Sequence, residues 1–148
     1  MIFAVTAIVI VILDQLTKHF IIISMHPNES IPVIENIFHI TFVRNPGAAF
    51  GILQNQIAFF IVVTIIVIFL LVGVYWKLAR ENTILTIGLS LQLGGAVGNL
   101  IDRIRFSYVV DFLDFRVWPV FNVADMAIVT GVILLAWQLL VWPEEQAG

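Results

Sequence analysis

The chain has 148 residues, of which 61% are apolar and 11% are charged, and its net charge is −3. Soluble proteins are about 45–50% apolar, so the composition excludes an ordinary soluble domain and predicts a single domain embedded in a membrane. The charge excludes the basic surface that nucleic-acid binding requires, and the absence of cysteine excludes disulfides, thiolate catalysis and Cys-based metal sites.

Four stretches are long and apolar enough to cross a bilayer, which takes about 20 residues of helix. The predicted spans cover residues 1–23, 57–76, 83–101 and 122–142. The second span carries no charge and ends in Tyr75 and Trp76, which are typical of a membrane interface. The first span contains Asp14 and Lys18 and lacks the flanks of a signal peptide, so we interpret it as a retained helix.

The segment between the first two spans, residues 24–56, is predicted to form β-structure. In residues 38–42 apolar side chains fall at every second position, which places His39 and Thr41 on the opposite face of a strand. We therefore expect a small sheet that lies on the membrane surface. Turns are predicted at Pro27, Pro32, Asn45-Pro46-Gly47 and Gly51.

Four spans place residues 24–56 and a charged loop over residues 102–121 on one side of the membrane. Both termini and the short loop 77–82 then lie on the other side. Basic residues in segments 24–56 and 102–121 outnumber those in the termini and loop 77–82, so the positive-inside rule alone would put the termini outside. Arginines interleaved with aspartates can be retained for chemistry, however, so we do not take the orientation from this count.

The first span contains two opposite charges on one helix face, Asp14 and Lys18. An ionisable side chain within a span costs about 2.5–3.5 kcal/mol on insertion scales and therefore requires a reason. Either the two residues form a structural ion pair that fixes the end of the helix, or they contact a substrate directly. Neither interpretation makes them catalytic.

The end of the third span combines small and polar residues. Gly94 and Gly98 have a spacing that permits close approach by another helix or by an extended peptide. Asn99, Asp102 and Arg103 follow at three- and four-residue steps and share a face. They either bind the backbone of a ligand or only cap the helix and form salt bridges.

Two further aspartates, Asp111 and Asp125, are flanked by apolar residues, and Asn122 shares a helix face with Asp125. Two carboxylates in one low-dielectric pocket cannot both ionise easily, so one keeps a proton. Such a pair can activate water as in an aspartic protease, and the sequence does not indicate which aspartate is the base. Alternatively, Asp125 is only a charge at a helix N-terminus and Asp111 lies on an exposed loop. No H-E-x-x-H zinc motif is present.

Taken together, these residues resemble the lipoprotein signal peptidase family, also called signal peptidase II. The resemblance extends over nearly the whole chain. It is carried by the segments Asp14-Gln15-Leu16-Thr17-Lys18, Asn45-Pro46-Gly47-Ala48-Ala49-Phe50-Gly51, Gly98-Asn99-Leu100-Ile101-Asp102-Arg103, Val109-Val110-Asp111-Phe112 and Phe121-Asn122-Val123-Ala124-Asp125.

The resemblance implies an all-α polytopic protein of the bacterial cytoplasmic (inner) membrane, with four transmembrane helices and a small extracytoplasmic β-sheet. Both termini would be cytoplasmic, and the active site would lie near the outer leaflet. The implied substrate is a diacylglyceryl-modified prolipoprotein embedded in membrane lipid, cut before its lipid-modified cysteine. The resemblance also implies inhibition by globomycin-type compounds. We expect a monomer without cofactor or metal.

The matching motifs imply that Asp111 and Asp125 are the catalytic pair. Asn45 and Arg103 would contact the substrate backbone or orient the neighbouring loop. The remaining motif residues would support the site, and these are Asp14, Lys18, Gly98, Asn99, Asp102 and Asn122. Asp114 has no assigned role. The amphipathic segment over residues 24–56 is expected to lie over the site and clamp the peptide, a hypothesis that cross-linking of Phe38 or Phe42 to the substrate would test.

Two other classes of function are compatible with parts of the sequence. A small transporter or ion pathway would have acids spread through the depth of the membrane. A structural or assembly subunit would use the glycine surface to bind a partner helix, and it would tolerate replacement of Asp111 and Asp125 by Asn.

Overall fold

The computed structural model describes residues 1–47 and 56–141. Four membrane-length helices and three strands follow in chain order, and helix α2 continues into a π-helical turn, Tyr75–Ala79. The predicted class, a helical membrane protein with a small sheet, is confirmed. The elements are α1 (Ile2–Ser24), β1 (Ser30–Ile34), β2 (Phe38–Asn45), α2 (Ile57–Val74), α3 (Thr83–Phe106), β3 (Val109–Asp114) and α4 (Val123–Val141).

Helix α3 is the centre of the helix bundle. Half of its most apolar stretch is buried against the rest of the protein, whereas only 6% of the corresponding stretch of α2 is buried. The mean hydropathy of that α2 stretch is 3.3, the highest of the four helices. A helix that is apolar on all sides suits contact with lipid, so α2 lies at the periphery while α1 and α4 pack on α3.

The glycines of α3 allow α1 to approach closely, as the spacing of Gly94 and Gly98 predicted. A Cβ atom at Gly94 would lie 2.8 Å from the Ala7 carbonyl oxygen, and one at Gly98 would lie 2.5 Å from Asp14 Oδ2. Only glycine fits at such distances. The contact brings the polar ends of the two helices together.

The three strands form an antiparallel sheet in the order β1-β2-β3. Strand β3 lies within residues 102–121, so the expectation of a charged loop over that whole segment is wrong. Helix α3 continues to Phe106 and ends where Ser107 adopts a left-handed conformation with φ 62°. Strand β3 is buried along nearly its whole length, and such strands lack the polar alternation by which exposed strands are recognised.

The sheet packs on the end of α1 through a compact apolar core. Its members are Ile21, Met25, Phe42, Val110 and Phe112. Phe42 is 2% exposed and belongs to this core, so Phe38 is the better placed of the two phenylalanines for cross-linking to a substrate.

The opposite face of β2 carries His39 and Thr41, as predicted from the alternation. Both side chains contact Ser30 Oγ on β1, at 3.1 and 2.8 Å. The predicted turn at Gly51, the Ala48–Gly51 part of the motif and residue 142 of the fourth span lie outside the described residues.

Candidate active site

A cavity of about 250 Å³ opens where the end of α3, the start of α4 and strands β2 and β3 meet. Both candidate catalytic aspartates line it, together with Asn45, Asn99 and Arg103. The remaining lining residues are Gly47, Val109, Trp118, Pro119, Val120 and Phe121.

Asp111 lies in the middle of β3 and is 2% exposed. Its Oδ2 accepts a hydrogen bond from Asn45 Nδ2 at 2.9 Å, and its Oδ1 accepts one from Asn122 Nδ2 at 2.6 Å. Burial and the neighbouring charge of Asp125 raise the pKa of Asp111 to about 7, although the two amide hydrogen bonds act in the opposite direction.

Asp125 lies in the first turn of α4, in a reciprocal capping arrangement with Asn122. The Asp125 backbone N–H donates to Asn122 Oδ1 at 2.9 Å, and the Asn122 backbone N–H donates to Asp125 Oδ2 at 3.3 Å. The other carboxylate oxygen, Oδ1, accepts from Asn99 Nδ2 at 2.8 Å. Asp125 is therefore both a helix-capping residue and a residue of the cavity.

Asn122 links the two aspartates. Its side-chain amide donates to Asp111, while its amide oxygen and backbone N–H bond to Asp125. The side chain is completely buried. One residue thus fixes the relative position of the two carboxylates.

Lys18 is the centre of a buried ion cluster beside the cavity. Its Nζ lies 2.9 Å from Asp14 Oδ2 and 3.0 Å from Asp102 Oδ2, and it donates to Asn99 Oδ1 at 2.9 Å. The predicted pairing of Asp14 with Lys18 is confirmed. The contact with Asp102 was not predicted, because it joins residues 84 positions apart in two different helices.

Gln15 is the cluster residue that sequence reasoning missed. Its Nε2 lies 2.9 Å from Asp102 Oδ1, 3.2 Å from the Gly98 carbonyl oxygen and 3.2 Å from Asp14 Oδ2. The only available signal was its position next to Asp14 in a motif segment. It is a polar side chain that joins α1 to α3.

The cluster also binds the backbone next to each candidate catalytic residue. Asp102 Oδ2 accepts from the Val110 N–H, and Asp14 Oδ1 accepts from the Ala124 N–H, both at 3.0 Å. Val110 precedes Asp111 and Ala124 precedes Asp125 in the sequence. The start of β3 and the first turn of α4 are therefore anchored to the same buried charges.

Arg103 lies at the cavity with its guanidinium 5.3 Å from the centre of the Phe60 ring. Among residues 1–47 and 56–141, no carboxylate lies within 4 Å of it as an ion-pair partner. Its hydrogen-bond donors are thus not used by a close carboxylate, and they are suited to acceptors inside the cavity. Within the same residues, no three His, Asp or Glu side chains are grouped so as to hold a metal ion.

Asp114, which the sequence left without a role, does not line the cavity. Its carboxylate is 5% exposed and binds Thr41 and Arg116. Burial acts to raise the pKa of Asp114, but the hydrogen bonds from Thr41 and Arg116 outweigh it and lower the pKa below its ordinary value.

Comparison with known proteins identifies relatives over nearly the whole chain. A family model described as signal peptidase (SPase) II matches residues 6–141. The lipoprotein signal peptidase of Moorella thermoacetica is 54% identical over 97% of this chain and 96% of that protein. That of Halothermothrix orenii is 48% identical over 97% of each.

Two solved structures have the same fold, and both are described as bacterial membrane enzymes. One, at 2.3 Å resolution, superposes with a TM-score of 0.91 at 38% identity, covering 99% of this chain and 93% of that one. The other, at 1.9 Å resolution, has a TM-score of 0.86 at 40% identity, covering 93% and 92%.

Replacement of Lys18 by Met is expected to destabilise the protein strongly. The change leaves the carboxylates of Asp14 and Asp102 buried without their cation, and breaking a buried ion pair costs about 3–5 kcal/mol. Lys77→Met is the matched control, since Lys77 is exposed. Thermal unfolding in detergent measures the effect, and equal melting temperatures for the two variants would contradict a structural role for the cluster.

Proposed function

Because the chain belongs to the signal peptidase II family, a family of membrane peptidases, we propose that it removes the signal peptide from diacylglyceryl-modified prolipoproteins, cutting before the lipid-modified cysteine. The observation that carries the proposal is the pair Asp111 and Asp125 on one cavity, joined by Asn122. The proposed nucleophile is water activated by this pair.

We assign the proton of the resting pair to Asp111. The raised pKa of Asp111, about 7, keeps its neutral form substantially populated at neutral pH, and Asp125 is proposed to act as the carboxylate of the pair. Asp125 then takes a proton from water as the water attacks the scissile carbonyl, and Asp111 donates its proton to the developing oxyanion. When the tetrahedral intermediate collapses, the C–N bond breaks, Asp125 gives its proton to the leaving amine, and Asp111 regains a proton from a hydroxyl group of the intermediate.

The side chains around the pair support two further roles. Arg103 has guanidinium donors at the cavity and no close carboxylate partner in the described part of the chain, so it is proposed to bind carbonyl oxygens of the substrate backbone. Asn45 is proposed to hold Asp111 through its 2.9 Å hydrogen bond. Asp14, Lys18, Gly98, Asn99 and Asp102 are proposed to support the site without touching the substrate.

The cavity lies where helices end and the sheet begins, and this suits a substrate whose acyl chains remain in the bilayer. Hydrolysis needs water at the scissile bond, which is available at the head-group boundary. We propose that this boundary is the outer leaflet of the bacterial inner membrane, with both termini cytoplasmic. The proposal includes a monomeric enzyme and inhibitors of the globomycin type acting at this cavity.

The transporter alternative is less well supported. It requires acids at several depths of the membrane, whereas Asp14, Asp102 and Asp125 belong to one connected network at one end of the bundle. Helix α2, the most apolar span, contains no ionisable residue.

The proposed pair predicts that Asp111→Asn and Asp125→Asn each abolish cleavage of a purified diacylglyceryl prolipoprotein. Loss of one acid–base group lowers rates by about 10²–10⁴-fold. Glu35→Gln, at an exposed position in the turn after β1, is the matched control and is expected to cleave normally. Each variant is checked for folding by thermal melting. Near-normal turnover by either well-folded aspartate variant would exclude the pair.

The protonated state of Asp111 predicts that activity falls as the pH rises. Above about pH 7 the proton is lost, so kcat/KM is expected to fall about tenfold per pH unit. Stability also falls as the pH rises, because folding raises the pKa of this carboxyl group and the folded state therefore binds the proton more tightly than the unfolded state does. The melting temperature should lose this contribution as the pH rises from 3.8 to about 7. The melting temperature of Asp111→Asn should not show this loss. An activity that rises steadily above pH 7 would refute the assignment of the proton to Asp111.

The proposed orientation predicts opposite labelling of two single cysteines. The chain has no cysteine, so Glu35→Cys in the β1–β2 turn and Glu81→Cys between α2 and α3 each add a unique thiol at an exposed position. A membrane-impermeant maleimide applied to intact spheroplasts should label the first variant and not the second. Permeabilisation should expose both, and the reverse pattern would place the site in the cytoplasm.

A further inference from the structure

The segment that joins β3 to α4 forms a closed loop beside the cavity. We call residues 115–120 the wall loop. Its base is closed by backbone hydrogen bonds, since the N–H groups of Phe112 and Leu113 donate to the Phe121 carbonyl oxygen and the Phe121 N–H donates to Leu113. The rings of Phe115 and Phe121 stack with centroids 5.9 Å apart.

One side of this loop is a wall of the cavity. Trp118, Pro119 and Val120 of the loop line the same space as Asp111 and Asp125. In the described part of the chain the two aspartates accept hydrogen bonds from Asn45, Asn99 and Asn122, which lie outside the wall loop. The loop is therefore placed to contact a bound peptide without setting the geometry of the two carboxylates.

Asp114 ties the start of the wall loop to the sheet. Its Oδ1 accepts from the Arg116 backbone N–H at 2.8 Å. Its Oδ2 accepts from Arg116 Nη1 at 2.9 Å and from Thr41 Oγ1 on β2 at 2.7 Å. Arg116 has a left-handed backbone with φ 64°, a conformation that non-glycine residues adopt only when other contacts hold them there.

The contacts of Asp114 thus join strand β2, strand β3 and the turn that directs the loop towards the cavity. Beyond this turn the loop is apolar and exposed, with Val117 90% exposed and Trp118 65% exposed. The three hydrogen bonds to the buried Asp114 carboxylate orient its start.

We propose that Asp114 is a positioning residue for substrate binding: it holds the wall loop against the cavity so that residues 118–120 form one side of the site that receives the prolipoprotein. This inference rests on the proposed function and adds a residue to it. Loss of the carboxylate loosens the wall and weakens substrate binding. The proton chemistry of the Asp111 and Asp125 pair is retained.

The first measurement needs no activity. In Asp114→Asn the single amide oxygen cannot accept from both the backbone and the side chain of Arg116 as well as from Thr41. Hydrogen exchange of the backbone amides in residues 115–121 should therefore be faster than in the wild type by about tenfold or more. Exchange in helix α3 should be unchanged. Wild-type exchange rates in the loop would overturn the proposed role of Asp114.

The second measurement separates positioning from general damage. For Asp114→Asn the KM for a purified diacylglyceryl prolipoprotein is expected to rise about tenfold, the effect of one lost charge-assisted hydrogen bond. The kcat should stay within about threefold and the alkaline limb of its pH profile should not move. A fall in kcat at unchanged KM, or a shifted pH profile, would overturn the inference.

A gentler variant covers the case in which Asp114→Asn does not fold. Thr41→Val removes one of the three hydrogen bonds and keeps the carboxylate, so its KM should rise in the same direction by a smaller factor. Glu35→Gln removes an exposed acid elsewhere on the sheet and should change neither exchange nor KM. If folded Thr41→Val shows faster hydrogen exchange in the wall loop but an unchanged KM, the link between the loop and substrate binding would be overturned.

The two proposals fail in distinguishable ways. A wild type that cleaves no prolipoprotein would overturn the proposed function and the substrate-binding part of this inference. The exchange measurement would still decide whether Asp114 holds the wall loop. Cleavage by the wild type with normal exchange and normal KM in Asp114→Asn would leave the proposed function intact and overturn this inference alone.

Discussion

The structure depends on the burial of one lysine at the polar end of a membrane helix bundle. Lys18 is 2% exposed, so its charge must be balanced inside the protein. Asp14 and Asp102 supply that balance from two helices, and their carboxylates also accept the backbone N–H groups of Ala124 and Val110. The pairing of a buried charge thereby fixes where α4 begins and where β3 runs.

Much of the fold could be predicted because the membrane imposes simple rules. Span length and hydropathy located the four helices, and the four-residue spacing of Asp14 and Lys18 located their ion pair. Strand β3 was missed, because it is buried by tertiary contacts with β2 and carries aspartates within a short apolar run. The partnership of Lys18 with Asp102 was missed for a related reason, since no local spacing joins residues of two different helices.

The sheet and the helix bundle make different contributions to the cavity. The part of the cavity that carries Asp125 and Asn99 is held by buried polar contacts between helices, where each unpaired group would be costly. The wall loop lies outside the spans, and its start is held by hydrogen bonds to Asp114. Different contacts therefore hold these two parts of the cavity, so loosening the wall loop is expected to leave the contacts of the proposed catalytic pair in place.

The separation between Lys18 and the proposed pair has a chemical consequence. Lys18 donates to Asn99 Oδ1, which forces the amide nitrogen of Asn99 towards Asp125. A neutral amide therefore stands between the cation and that carboxylate. A cation in direct contact with the pair would favour ionisation of both carboxyl groups and remove the proton that an aspartic mechanism needs. Burial and the charge of Asp125 raise the pKa of Asp111 to about 7, although the hydrogen bonds from Asn45 and Asn122 and the charge of Lys18 act in the opposite direction. The buried Lys18 ammonium group can therefore organise the site without direct contact with either carboxyl group of the proposed pair.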